Sequence, residues 1–552
     1  MASSKALETK HPKGLYVLFF TEMWERFGYY LMLGILFLYL IDADKGGMGL
    51  DKASASDIVG TYLALVYLTP FIGGLLADRI LGYRKAIAIG GTLMAMGYIG
   101  LAIPGYTAFW VSLLLIIIGN GFFKPNISTL LGNLYSEDKY KALKDSGYNI
   151  FYMGINIGAF ACNFVAAYMR NEYGWGYAFA AAGVGMLIGM VWFLKGTKHI
   201  KEADVRKAAN PEDMPIGKVF LYVFLPAMIF GIIGWFIPGK ILGSDSTDAF
   251  ILACIPVIAF YISLWKRATH RDKAPIAALL SIFVVVIVFW AIFKQNASAL
   301  TTFADSYTDR KLPETFEPVA KPLGMAQLVS AVPDSFPKYD AYFRPEKDAE
   351  GNKIKVLASN PYFQNLKKED WPKEGEDLKL ISTEIYQSVN PFFIILFTPI
   401  VVGLFGWMRS RKKEPSTPAK IGYGLFITAL SILVMVAAVS FVDITTDKAS
   451  STWLIGSYAV ITLGELFLSP IGLSLVSKLS PPRITSLMMG GWFLATSVGN
   501  KLSGVLASMW DSYDNKAGFF MVNFAGAMAA AIAIFIMLKW LRSVIDNHAK
   551  SA

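Results

Sequence analysis

Residues 15–40 read LYVLFFTEMWERFGYYLMLGILFLYL, a long apolar stretch that nevertheless carries three charges. About 20 apolar residues suffice to cross the hydrocarbon core of a bilayer, so this stretch is long enough to be a transmembrane helix. Its polar residues, Glu22, Glu25, Arg26, Tyr29 and Tyr30, recur at spacings of three and four and therefore share one helical face. Charges facing lipid are costly. The face must point into a bundle of helices.

The composition of the whole chain is that of a membrane protein. Of its 552 residues, 55% are hydrophobic and only 17% are charged, and the mean hydropathy is +0.46. Soluble proteins carry about 25% charged residues, which excludes a set of ordinary aqueous domains. The net charge of +10 is explained by the Lys and Arg that collect in cytoplasmic loops of membrane proteins. We therefore expect the lipid bilayer as a partner, and no nucleic acid.

Hydropathy and helix-breaking residues predict an all-α membrane protein with about fourteen spans. The predicted spans are 15–40, 56–77, 83–104, 109–134, 147–169, 175–196, 218–238, 250–267, 275–303, 387–408, 421–442, 452–477, 485–508 and 517–541. The first of them is too long for a signal peptide and has no clear cleavage site, so we expect it to be retained.

The distribution of basic residues predicts the orientation. Lys and Arg collect in alternate loops, at 79–85, 139–144, 195–207, 266–273 and 409–420. By the positive-inside rule these loops and both termini are cytoplasmic. The polar stretch 304–386 then becomes an extracytoplasmic insertion. Connections of this length are either functional or disordered, and the aromatic residues within this one predict a small ordered cap.

Three further ionisable residues fall inside predicted spans: Lys124, Lys294 and Glu465. Two explanations stay open for each, a structural ion pair that locks two helices together and a place in a functional cavity. Together with the first span they give three acids and three bases, a balance that suits a zwitterionic solute. Adding Lys501 of the span 485–508 would give the cavity a net positive charge, although this lysine could extend its ammonium group to the membrane surface.

Enzymatic chemistry has no support in the sequence. The four histidines, His11, His199, His270 and His548, fall in predicted loops or tails. The chain has no metal-ligand cluster, no phosphate-binding loop and no Ser/His/Asp set at membrane depth. Any proton relay inside the membrane must therefore use carboxylates, and we expect a protein that is not an enzyme and needs no cofactor.

Five motifs occur along the spans in a fixed order. They are EMWERFGYY at 22–30, GLLADRILGYRK at 74–85, FFKPN at 122–126, FYMGINIGAF at 151–160 and GEL at 464–466. This set resembles the signatures of the proton-dependent oligopeptide transporter (POT) family within the major facilitator superfamily. The likeness covers essentially all spans but not the insertion 304–386.

The resemblance implies the major facilitator fold, in which two six-helix bundles rock about a central cavity. The implied divisions are a cytoplasmic N-terminus (1–14), a first bundle (15–196), a linker with two extra helices (197–274), a second bundle with the insertion (275–541) and a cytoplasmic tail (542–552). It also implies a function: proton-coupled symport of di- and tripeptides into the cell by alternating access. The protein would act as a monomer in the bacterial inner membrane, with protons as the coupling ion.

The same resemblance assigns roles to single residues. Proton coupling falls to Glu22, Glu25 and Arg26. Nine positions match those that line the peptide site: Tyr29, Tyr30, Tyr67, Lys124, Asn156, Trp290, Asn390, Glu465 and Trp492. Glu465 would meet the peptide's ammonium group and Lys124 its carboxylate, through charge-assisted hydrogen bonds.

Two positions depart from the family pattern. Leu33 stands where many members carry an arginine, and Lys294 stands where many carry a glutamate in helix seven. Trp290 lies one turn before Lys294, so both side chains are expected on the face toward the cavity. We expect Lys294 to bind the substrate carboxylate or balance charge in place of the missing arginine. The alternative is that Lys294 extends to the external surface.

Other functions remain open at the level of the sequence. Relatives of this family also carry non-peptide solutes, such as nitrate or a modified amino acid. A membrane receptor or scaffold that uses 304–386 to bind its ligand is a third possibility, although charged residues in both halves favour transport.

Overall fold

The computed structural model describes residues 10–137, 139–140, 143–205, 215–373, 376–480 and 485–551. Fourteen long helices dominate this part of the chain. They are α1 (Lys13–Ile41), α2 (Lys52–Leu76), α3 (Tyr83–Gly100), α4 (Tyr106–Leu134), α5 (Lys144–Tyr173), α6 (Trp175–Gly196), α7 (Leu225–Phe236), α8 (Asp245–Arg267), α9 (His270–Phe293), α10 (Val389–Ser410), α11 (Thr417–Phe441), α12 (Ser451–Leu479), α13 (Thr485–Ser508) and α14 (Lys516–Ser551).

Within the described ranges, twelve helical segments are long and apolar enough to cross a membrane, and α3 and α13 do not reach the same hydropathy. The predicted spans agree with the observed helices to within about five residues, apart from three differences. The predicted span 218–238 starts before α7, in a short α-helix, Ile216–Val219, and a π-helical turn, Phe220–Phe224. The last helix continues to Ser551 rather than ending near 541. The predicted span 275–303 is interrupted, because α9 ends at Phe293 and a 3-10 turn, Lys294–Ala297, follows. Lys294 therefore sits at a helix end.

The helices pack as two six-helix bundles and a pair. Helices α1–α6 contact one another and form the N-half, α9–α14 form the C-half, and α7 and α8 pack together as the extra pair. Glycines allow some of these approaches: a Cβ at Gly73 of α2 would lie only 2.0 Å from the carbonyl oxygen of Gly121 in α4. The predicted architecture is confirmed. The predicted domain limits remain a prediction, and their residues 1–9 and 206–214 lie outside the described part.

The bundle has two ends, which we call the insertion side and the terminus side. The insertion side holds residues 304–386 and the loops after α1, α11 and α13. For example, Lys52 donates to the carbonyl oxygen of Phe343 at 2.8 Å. The terminus side holds the start of α1 and the end of α14, where Arg542 donates to Ser416 at 2.8 Å.

The insertion forms a small ordered cap. Its strands are β1 (Thr308–Asp309), β2 (Ala326–Ser330), β3 (Asp334–Pro337), β4 (Lys355–Ala358) and β5 (Asp377–Ile381), and β6 (Ala449–Ser450) follows α11. Pairs β2–β5 and β3–β4 are antiparallel, whereas β1 pairs in parallel with β6. The cap contacts both halves: Asn171 of α5 donates to the carbonyl oxygen of Ala326 at 3.1 Å, and Asn365 donates to that of Ile444 at 2.9 Å.

Candidate functional site

Helix α1 buries a cluster of two carboxylates and one guanidinium. Glu22, Glu25 and Arg26 are each 3% exposed or less. Arg26 Nη2 donates to Glu25 Oε1 at 2.7 Å, and its Nε also contacts the second oxygen of Glu25. The same Nε lies 3.3 Å from Glu22 Oε1, while Glu22 Oε2 is buried without a hydrogen-bond partner among the described residues. Arg26 is thus held by Glu25, and Glu22 is the less satisfied carboxylate.

The paired tyrosines follow this cluster along the same helix. The Arg26 guanidinium lies 5.0 Å from the centre of the Tyr29 ring, and the Tyr29 and Tyr30 rings meet edge to face at 5.1 Å. Tyr29 is buried, whereas Tyr30 is partly exposed. One turn on, Leu33 is 8% exposed and packs in the core of the N-half. An apolar side chain therefore occupies the position where the family commonly has a cation.

The Tyr67 ring of α2 lies close to two ammonium groups that come from opposite halves. Lys124 Nζ of α4 is 3.9 Å from the centre of the Tyr67 ring, and Lys294 Nζ is 5.7 Å from it. The Lys294 ammonium also lies 5.5 Å from the rings of both Trp290 and Phe293. Lys294 is 5% exposed and forms no ion pair with any carboxylate in the described ranges. The ring faces stabilise both cations, and Lys294 does not extend to the surface.

Glu465 of α12 is oriented by an amide from α10. Asn390 Nδ2 donates to Glu465 Oε2 at 3.1 Å and to Thr462 Oγ1 at 2.9 Å. Glu465 is partly exposed and has no ion-pair partner among the residues that the structure describes. One carboxylate oxygen is thus fixed and the other is left for a further donor.

Asn156 and Trp492 are held more tightly than the sequence suggests. Asn156 is 5% exposed and donates to the Tyr152 carbonyl oxygen of its own helix at 2.9 Å. Trp492 is 4% exposed and packs on Gly472, where a Cβ would lie 1.9 Å from the indole ring. Their contact with a substrate stays a prediction.

These groups converge on one region between the two halves. Tyr30 lies within electrostatic range of Arg26, Tyr67 and Glu465, and Glu465 lies within range of Lys294. The N-half contributes the carboxylate–arginine cluster, the tyrosines and one lysine. The C-half contributes a second lysine and a separate carboxylate. Such separated charges of both signs match a solute that carries both an ammonium and a carboxylate group.

Lys501 does not extend to the membrane surface, which the sequence had left open. Its side chain is fully buried, and its ammonium lies 2.6 Å from Asp57 Oδ1, 2.7 Å from Thr61 Oγ1 and 2.8 Å from Ser246 Oγ. Asp57 lies at the edge of the predicted span 56–77, where an acidic residue is common and does not indicate an ion pair. The sequence could have indicated this pair only through the presence of a lysine in one span and an aspartate in another.

Among the described residues, several polar contacts join the two halves on the insertion side. Helix α2 meets α13 through Asp57 and Lys501, and α5 meets the turn before α10 through Arg170 and Glu384 at 2.9 Å. Asn163 of α5 also donates to Ser388 Oγ at 3.0 Å. These contacts hold the two halves together on the insertion side, and in this sense we call that side closed.

Comparison with known proteins agrees with this arrangement. The profile of the POT family (PTR2) matches residues 84–325 and 377–536. The likeness therefore reaches into both ends of the insertion, contrary to the expectation from motifs, and only 326–376 of it lies outside the profile.

Individual relatives cover nearly the whole chain. An uncharacterized transporter of Bacillus subtilis, YclF, is 32% identical over 95% of this chain and 94% of its own length. A di-/tripeptide transporter of Lactococcus lactis is 31% identical over 97% of both chains. The crystal structure of a mutant of the peptide transporter POT with alafosfalin superposes with a TM-score of 0.71 at 29% identity, covering 97% of this chain and 96% of the other. The chain is a multi-pass membrane protein that belongs to the POT family.

Proposed function

We propose that the protein is a proton-coupled symporter of di- and tripeptides that works as a monomer by alternating access. The observation that carries the proposal is the separation of two lysines, one from each half, from a carboxylate of the C-half. Lys124 of the N-half shares the Tyr67 ring with Lys294, while Glu465 of the C-half keeps one oxygen unbound beside Asn390. A peptide in its zwitterionic form would span the halves, with its carboxylate at the lysines and its ammonium at Glu465.

The cluster of α1 supplies the proton site in this proposal, and its geometry distinguishes the two carboxylates. Glu25 makes two contacts to Arg26, whereas Glu22 makes one longer contact and has an oxygen with no partner in the part of the chain that the structure describes. Protonating Glu22 would leave Arg26 paired, while protonating Glu25 would remove its main partner. We infer that Glu22 is the carboxylate that takes up and releases the proton. Lys124 interacts electrostatically with Glu22. A substrate carboxylate bound to Lys124 would therefore change the electrostatic environment of Glu22.

The orientation follows from charge. The described residues of the basic loops lie on the terminus side, which the positive-inside rule places in the cytoplasm. The closed insertion side then faces outward, and the cap covers it. In this proposal the described conformation is inward-facing, and the external gate lies between α2, α5 and the C-half.

The test is uptake into proteoliposomes. Purified protein should accumulate a labelled dipeptide above its external concentration when the external medium is more acidic than the lumen. Without a gradient it should only equilibrate the peptide. Absence of accumulation by protein that still exchanges labelled for unlabelled peptide would contradict proton coupling.

Competition between labelled dipeptide and other solutes distinguishes a peptide transporter from the other candidate functions. Excess unlabelled dipeptide should suppress uptake, and nitrate or a free amino acid should not. Suppression by one of those solutes alone would indicate a non-peptide member of the family. Saturable peptide binding without any exchange across the membrane would instead indicate a receptor.

A further inference from the structure

The carboxylate of Asp57 in α2 is surrounded by donors from two other helices. Lys501 Nζ of α13 lies 2.6 Å from Oδ1. The hydroxyl groups of Ser244, Ser246 and Thr247, at the start of α8, lie 2.9, 2.5 and 3.1 Å from its oxygens. One acid thus joins the N-half, the C-half and the extra pair.

Hydrogen bonds attach the extra pair to both halves. On the insertion side the first turn of α8 bonds Asp57 of the N-half, and Ser246 of this turn also accepts from Lys501 of the C-half at 2.8 Å. Toward the terminus side of the same helix, Tyr261 donates to the carbonyl oxygen of Leu487 in the C-half at 2.7 Å. Movement of one half against the other must therefore strain or break one of these attachments.

Helices α2 and α13 touch closely at the level of this ion pair. A Cβ at Gly60 would lie 2.7 Å from the Cα of Gly504, and Ser497 donates to the carbonyl oxygen of Ala64 at 2.6 Å. Access from the insertion side requires these helices to separate. Lys501 and Asp57 lie on the two sides of the contact that opens.

We propose that Asp57 and Lys501 form a gating pair for the insertion side, and that the extra pair positions Asp57. This inference rests on the alternating access of the proposed function. In the open state Asp57 keeps the α8 hydroxyls and the helix N-terminus, which favours an anion. Lys501 loses its contacts with both Asp57 and Thr61, and no group of the C-half replaces the lost counter-ion in this proposal. The gate is therefore held closed chiefly by the need of a buried ammonium for its counter-ion.

This asymmetry predicts an order among variants. Lys501→Met removes the pair but leaves Asp57 satisfied by hydroxyls, so the open fraction should rise by about ten-fold. Asp57→Asn leaves the Lys501 ammonium buried without an anion and should open the gate further. The double variant removes that unpaired charge and should be less open than Asp57→Asn alone.

The experiment measures the distance between the halves by pulsed electron spin resonance on the full-length protein in lipid nanodiscs. Labels at Lys45→Cys and Ser512→Cys, both exposed on the insertion side, report the gate after Cys162 and Cys254 are replaced by alanine. No peptide or proton gradient is used. Distances that contradict the gating pair would not contradict the proposed peptide transport. Conversely, the distances can be interpreted even if the protein takes up no peptide.

Ser246→Ala provides a milder variant in case the charge variants do not fold. It removes the hydroxyl shared by Asp57 and Lys501 and should shift the distances in the same direction by a smaller amount. Thr269→Ala, which removes an exposed hydroxyl at the other end of the extra pair, should leave them unchanged. Unchanged distances in Ser246→Ala and in every folded charge variant would overturn the proposal. So would a double variant more open than Asp57→Asn.

Discussion

Replacing Lys294 by methionine tests the charge arrangement around Tyr67. Methionine keeps an unbranched apolar chain against Trp290 and Phe293 and removes only the ammonium group. The distances of 3.9 and 5.7 Å to the Tyr67 ring centre place the Lys124 and Lys294 ammonium groups no more than about 9.6 Å apart. With an effective dielectric constant of about 20, their repulsion is at least about 1.7 kcal/mol.

Two effects follow from these magnitudes. The empty protein loses a like-charge repulsion, so Lys294→Met should denature at a higher temperature than the parent. The bound peptide loses a charge-assisted hydrogen bond worth about 1.5–3 kcal/mol, so a dipeptide with a free carboxylate should bind about 10- to 100-fold more weakly. Its C-terminal amide should change by less than about three-fold, because it has no carboxylate to lose the contact.

Both ligands can be compared by equilibrium binding to purified protein in detergent. Lys195→Met, which removes an exposed charge at the end of α6, serves as the control and should leave both affinities unchanged. Equal losses for the acid and the amide, or no loss for either, would refute the assigned role of Lys294.

Three further predictions concern the proton site, the gate and the cap. Glu22→Gln and Glu25→Gln should both lose gradient-driven accumulation of peptide, but Glu22→Gln should keep peptide exchange and thermal stability. Glu25→Gln should lower the free energy of unfolding by about 3 kcal/mol, because Arg26 loses its main partner. Equal stabilities of the two variants would contradict the assignment of Glu22 as the proton site. Gly60→Ala should clash with Gly504 and slow exchange by preventing closure of the insertion side, which a normal exchange rate would disprove. Replacing residues 331–376 by an Asn-Gly turn that joins Ser330 to Asp377 should keep the β2–β5 pairing and leave the rate of peptide uptake within a few-fold of the parent rate. Complete loss of uptake by folded protein would show that the cap takes part in transport.

Sequence patterns predicted the parts of the structure that depend on local spacing. Hydropathy located the helices, and the spacing of Glu22, Glu25 and Arg26 placed their charges on one buried face. The one-turn relation between Trp290 and Lys294 also held, since the ammonium lies near that ring. Each of these features is set by a single helix.

Features that depend on tertiary contacts were not predictable. Asp57 and Lys501 are 444 residues apart, and neither belongs to a motif. The different bonding of Glu22 and Glu25 depends on which rotamer Arg26 adopts in the packed bundle. The end of α9 at Phe293 also escaped prediction, because residues 275–303 are continuously apolar up to Lys294 and hydropathy does not register a change from α-helix to 3-10 turn.

Peptide-driven proton movement tests the central claim most directly. Proteoliposomes would contain a pH-sensitive dye, equal pH on both sides, and potassium with valinomycin to keep the membrane potential at zero. Adding an external dipeptide should acidify the lumen, in proportion to the peptide taken up, and Glu22→Gln should carry peptide in exchange without this acidification. Peptide entry into the parent proteoliposomes with no change in luminal pH would contradict proton-coupled transport by this protein.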